Sequence, residues 1–128
     1  MATFTLRAEV HGGREIAVVE LTGPADRTSL LALVVELDLY AKRHAGARCV
    51  LIDETSLEPA LITPSEIRVI VRTWEDSVAL REAKIAVLAP NPVLYGLNRM
   101  VQAYSERTER LIGVFSDRAN ALAWLVAE

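Results

Sequence analysis

Five places in this 128-residue chain carry side chains able to do chemistry. Asp53 and Glu54 stand together at the end of an apolar run, where two carboxylates can share acid and base work. Neighbouring residues at a strand end point to opposite sides, however, so one pocket rarely uses both. The expectation is a pair of exposed or loop-capping carboxylates. Thr63 and Ser65 flank Pro64 just before Glu66, and both hydroxyls could accept a phosphate at a helix start. Cys49 lies inside an apolar run and reads as a small core side chain rather than a nucleophile. His11 and His44 fall in a turn and at a helix end, with no second ligand at metal spacing. No glycine-rich phosphate loop and no nucleophile elbow is found: Gly12-Gly13 reads as a hairpin turn. The residues therefore point away from an enzyme and call for no metal or cofactor.

The element that positions the carboxylates and hydroxyls is Arg48–Glu66, around which the chain is organised. Cys49-Val50-Leu51-Ile52 is continuously apolar, as in a parallel strand buried on both faces. The loop Asp53–Glu66 follows, with Leu61 and Ile62 apolar inside it. Thr63-Pro64-Ser65-Glu66 then combines an N-cap threonine, a first-position proline and a third-position glutamate, the pattern of a capping box. In open α/β sheets ligands gather at the carboxyl ends of strands, so Asp53, Leu61 and Ile62 are the candidates for a ligand loop, although the preferred reading of Leu61 and Ile62 is that they staple the entry to the helix. An apolar or lipid-like small molecule would suit such a loop.

Before this unit, Phe4, Leu6, Ala8 and Val10 alternate with polar residues, as in a half-buried strand. His11-Gly12-Gly13-Arg14 turns the chain back into a second strand, Ile16–Leu21. A helix over Arg27–His44, capped by Asp26 or Thr28, presents Leu30, Leu33, Val34, Leu37 and Ala41 to the sheet. Leu31, Val35 and Leu39 form a second apolar stripe on nearly the opposite side. A helix on the outside of one sheet does not need it. A partner subunit is the expected cover, and another segment of the same chain the alternative.

After the central unit a helix is expected over Pro64–Leu80, with Ile67, Ile70, Val71, Trp74 and Val78 in one stripe. A strand follows over Lys84–Ala89, then a helix capped by Asn91. Its expected core stripe is Val93, Leu97, Met100, Val101 and Tyr104, with Tyr95, Asn98, Arg99 and Gln102 outward. Leu111–Phe115 is the last strand, and Arg118–Val126 a final helix capped by Ser116 or Asp117. The order β-β-α-β-α-β-α-β-α describes one α/β domain. Its five-stranded sheet is mixed, mostly parallel beyond the opening hairpin, with right-handed crossovers.

Composition narrows the partners. Net charge is −3, from 14 basic and 17 acidic residues without a basic run, which argues against nucleic acid. One cysteine rules out an intrachain disulfide framework. The opening MATFTLRAEV has no charged stretch leading into an apolar one, and no run reaches membrane-spanning length. A cytoplasmic protein is expected. The hydrophobic share of 52% and the mean hydropathy of +0.24 are high for a small monomer and add to the case for a homodimer or a protein partner.

Two passages resemble the STAS fold of the sporulation anti-sigma-factor antagonists, and its SpoIIAA-like (STAS/SEC14-type) bacterial members in particular. One is VLIDETSLEPALITPSEI, similar to the strand, loop and helix at the family's centre. The other is Phe115-Ser116-Asp117-Arg118-Ala119-Asn120-Ala121-Leu122-Ala123-Trp124-Leu125, similar to the family's closing strand and helix. The resemblance spans nearly the whole chain in element order and implies a non-enzymatic interaction or regulatory module. In the antagonists a serine or threonine opening the helix after the central strand is phosphorylated by a partner kinase. The family's Asp-Ser-Ser-Gly is absent here, and Thr63-Pro64-Ser65-Glu66 occupies the comparable place. The resemblance thus implies a possible phospho-switch at Thr63 or Ser65.

Overall fold

The structure, a computed structural model, describes residues 2–44, 48–59, 62–104 and 111–127. Two strands open the chain, β1 (Thr3–His11) and β2 (Arg14–Pro24). They pair antiparallel with His11 opposite Arg14, which leaves Gly12 and Gly13 as a two-residue turn. Both glycines have positive φ, 57° and 77°, as a turn matching the twist of the strands requires. Then follow α1 (Arg27–Arg43), β3 (Cys49–Glu58), α2 (Pro64–Glu75), β4 (Lys84–Leu88), α3 (Pro92–Tyr104), β5 (Ile112–Phe115) and α4 (Arg118–Val126). The sheet order is β1-β2-β3-β4-β5, with every pair after the hairpin parallel. Strands added one after another in the same direction by right-handed crossovers must carry their helices on one face. That is the arrangement found: Leu33 and Leu37 of α1, Trp74 of α2 and Leu94 of α3 share one core with Val19, Val50 and Val87. The opposite face holds a smaller core, in which Ala121 and Leu125 of α4 pack on Ile16, Val18, Leu51 and Ala86.

The caps follow the expected chemistry. Asp26 accepts from Ser29 N at 2.7 Å, Asn91 accepts from Val93 N at 2.9 Å, and Asp117 accepts from Asn120 N at 3.2 Å. The capping box at α2 is complete: Glu66 N donates to Thr63 Oγ1 at 3.2 Å and Thr63 N donates to Glu66 Oε1 at 3.1 Å. Cys49 is buried, and its thiol faces the Leu125 carbonyl at 3.5 Å.

Three expectations are corrected. α2 ends at Glu75 rather than Leu80, so Val78 lies in the following turn and is 72% exposed. Ser77 directs that turn: its hydroxyl donates to Asp38 of α1 and accepts from Leu80 N. The core face of α3 is rotated by one residue, with Leu94 buried and Val93 58% exposed. Its inward positions are Leu94, Leu97, Asn98 and Val101, so Asn98 faces inward, not outward. Finally, β3 does not stop at Ile52 but runs to Glu58. Asp53 and Glu54 are strand residues, and the loop before α2 is correspondingly shorter.

A carboxyl and a carboxamide in an apolar cavity

The extension of β3 contains an irregularity at Glu54 and Thr55. Glu20 of β2 pairs with Asp53, but Thr22 pairs with Ser56. Two β3 residues, Glu54 and Thr55, thus stand opposite Leu21 alone. This is a β-bulge, a device that re-aims a side chain within a sheet. Asp53 supports it locally: its Oδ1 accepts from Thr55 N at 2.9 Å and from Thr55 Oγ1 at 2.5 Å. Val50, Ile52 and Glu54 alternate onto the face beneath α1, α2 and α3. After the extra residue Leu57 returns to that same face.

Glu54 is therefore buried, 7% exposed, which corrects the expectation of an exposed strand-end carboxylate. Its Oε1 accepts from Asn98 Nδ2 at 2.6 Å, and the same amide donates to the Leu94 carbonyl at 2.9 Å. Burial pushes the Glu54 carboxyl up to about 7; the Asn98 bond pulls against this, and the charge of Asp53 adds to it. A carboxyl moved that far is partly neutral near neutral pH and can donate a hydrogen bond as well as accept one.

The pair lines a cavity of about 140 Å³ between the sheet and the three helices. Its wall is otherwise apolar, from Leu21 of β2, Leu33 and Leu37 of α1, Ile67 and Trp74 of α2, Leu97 and Val101 of α3, and Val87 of β4. Protein cores are packed like organic crystals and hold few voids larger than a water molecule. At about 24 cal/mol per Å³, a space of this size left unfilled costs about 3 kcal/mol.

Asp53 is half-buried on the other face of the sheet, as strand alternation requires. There Arg118 of α4 lies 3.4 Å from its Oδ2 and 3.5 Å from Glu9 Oε1. Arg7 joins Glu9 at 2.6 Å and Glu20 at 2.8 Å. Hydrogen bonds, first from His11 and then from Arg7, hold the Glu9 carboxyl below the ordinary carboxylate range. This is a paired, water-facing network beside α4. Among the described residues no group of three His, Cys, Asp or Glu side chains could hold a metal ion.

The candidate ligand loop is thus split. Ile62 is half-buried and lines the cavity, Asp53 faces away from it, and Leu61 lies outside the described residues. Thr63 and Ser65 are both exposed at the start of α2, but the Thr63 hydroxyl is engaged with Glu66 in the capping box. Of the second α1 stripe, Leu31 is half-buried, while Val35 is 53% and Leu39 37% exposed. Val35 shares a shallow groove with Val34, Asp38 and Lys42 of α1 and with Thr73, Asp76, Ser77 and Val78 at the end of α2. The residues that sequence reasoning missed are Glu54 and Asn98. Leu94, Leu97, Asn98 and Val101 follow the helical spacing i, i+3, i+4, i+7. A carboxamide inside that apolar stripe was the available signal of a buried polar partner.

No protein-family model and no curated protein matches the sequence. Solved structures do. One is an uncharacterised protein of the DUF3478 family with a SpoIIAA-like fold, from Shewanella loihica PV-4. It is 15% identical, with a TM-score of 0.66 over 98% of this chain and 95% of that one. Another is an anti-sigma factor antagonist from Mycobacterium paratuberculosis, 14% identical, with a TM-score of 0.57 over 98% of this chain and 96% of that one. Identities this low speak for architecture alone. The chain has the SpoIIAA-like, STAS-type fold, as its two sequence passages led one to expect.

Proposed function

We propose that the protein is a non-enzymatic regulatory module that works by protein association, through the face formed by α1 and the end of α2. One observation carries this reading: Val35, Leu39 and Val78, on neighbouring elements, are all large apolar side chains open to solvent. The occupant is a second copy of the chain. The groove holds Asp76 beside an ion pair of Lys42 with Asp38 at 2.8 Å. An isologous pairing of such a face can bring a second carboxylate, from the partner, to each lysine already held by Asp38. The structural likeness to an anti-sigma factor antagonist supports a regulatory protein rather than an enzyme. Ser65, exposed in the first turn of α2, is the hydroxyl at which a phosphate would add charge to that helix.

Native mass spectrometry of the protein from its own host reads subunit number and any phosphate together. A dimer is expected, and Val35→Glu with Leu39→Glu is expected to yield a folded monomer. A wild-type protein that is monomeric at micromolar concentration refutes the second-copy assignment. A phosphate found on Ser65 would support the switch, and its absence from growing and starved cells alike would remove it.

A second reading, that the module also holds a small apolar ligand, is favoured by the cavity around Glu54 and Asn98. Such sites are concave and mostly apolar, with a few convergent polar groups.

A further inference from the structure

The cavity has a chemical polarity that specifies its ligand. Its lining contains one ionisable side chain, Glu54, and no lysine, arginine or histidine among the described residues. An anion there would lie against a carboxyl with no counter-charge, so anionic ligands are excluded. Asn98 spends both amide hydrogens, one on Glu54 and one on the Leu94 carbonyl. Glu54 Oε2 and Asn98 Oδ1 make no hydrogen bond among the described residues. Two oxygens at one end of an apolar wall are therefore available to a guest. The volume, about 140 Å³, is close to that of an engineered apolar cavity that admits benzene.

We infer that this cavity binds a small, uncharged, ring-sized or short-chain apolar molecule carrying one hydroxyl, which is oriented by hydrogen bonds to Glu54 and Asn98. The assignment rests on reading the cavity as a ligand site, and names the class of ligand. Strand alternation is what makes it specific, since it puts Glu54 under the helices while Asp53 keeps to the other face. A hydroxyl suits both states of Glu54: it donates to the carboxylate and accepts from the carboxylic acid.

The test uses phenol and benzene as probes on the full chain, by isothermal titration and by thermal melting. Both are expected to bind and to raise the melting temperature. Phenol is expected to bind about tenfold more tightly, the worth of one net hydrogen bond. Glu54→Gln, which keeps an amide oxygen and donor in place, should retain most of that preference. Glu54→Leu should abolish it while benzene still binds. Val101→Phe, which fills the space from α3, should block both probes in a folded protein. If neither probe binds the wild type, the cavity is not a ligand site and both readings fail. If both bind equally, or Glu54→Leu leaves the phenol preference intact, the apolar site stands but recognition by Glu54 is refuted. Tighter binding of benzylammonium than of phenol would show that the recognised group is a cation and overturn the assignment.

Discussion

Replacing Glu54 with glutamine should make the protein more stable, and increasingly so as pH rises. The native carboxyl takes up a proton with a pKa of about 7, against 4.5 for the free side chain. Below the lower value both folded and unfolded chains hold the proton, and Glu54 imposes no penalty. Between the two values the unfolded chain releases its proton while the native one keeps it, so stability falls with rising pH. Above about 7 the native chain carries a buried charge and the loss is complete. A difference of that size is worth roughly 3 kcal/mol, a large share of the roughly 5–15 kcal/mol that holds an ordinary domain together. The glutamine of the Glu54→Gln variant has no proton to lose. Its amide oxygen can still accept from Asn98. The stability difference between Glu54→Gln and wild type should therefore grow by roughly 3 kcal/mol between mildly acid and mildly alkaline pH. Glu54 is the one ionisable group among the described residues of the cavity wall, and Asp53 on the far face pushes in the same direction. The depressed carboxyls of Glu9, Asp26 and Asp38 act at lower pH, where protonation would remove their contribution, and they cancel between the two proteins. Urea unfolding across this pH range, with equal slopes for the two proteins, measures the difference. Parallel curves would refute the reasoning, because they would mean that Glu54 is as well solvated folded as unfolded.

Two further substitutions check the local arguments. Thr63→Ala removes the hydroxyl that caps Glu66 N and should cost about 1 kcal/mol in urea unfolding, whereas Ser65→Ala, exposed and outside the box, should leave stability within about 0.5 kcal/mol of wild type; equal effects would contradict the capping assignment. Gly113→Ala would place a methyl 2.6 Å from the Phe115 ring and 3.4 Å from Trp124. It should cost about 1 kcal/mol through loss of the aromatic pair, and next to nothing in a Phe115→Ala background; an undiminished cost there would mean that the backbone, not the ring, is what resists.

The architecture was legible because its signals are local and redundant. A period of two in β1, apolar runs in β3 and β4, and a capping side chain before each helix name the elements without reference to one another. The right-handed crossover rule then assigns three helices to one face. The errors share a cause: each follows from polar residues that the tertiary structure uses against their usual habit. Asp53-Glu54 reads as the end of a strand because charges usually surface. Here Asp53 instead captures the Thr55 amide within a bulge, and the strand runs on to Glu58. Asn98 reads as solvated because carboxamides usually are, yet it meets a carboxyl 44 residues away in sequence. Glu54 gives no signal of burial by itself, Asn98 gives one only through its place in the apolar stripe of α3, and each makes the other's burial tolerable. A buried polar pair costs more than apolar side chains of the same shape unless its remaining bonding capacity is met. Glu54 and Asn98 each leave an oxygen beside a sizeable space in this core, so the pair is better explained as part of a binding site than as part of the packing.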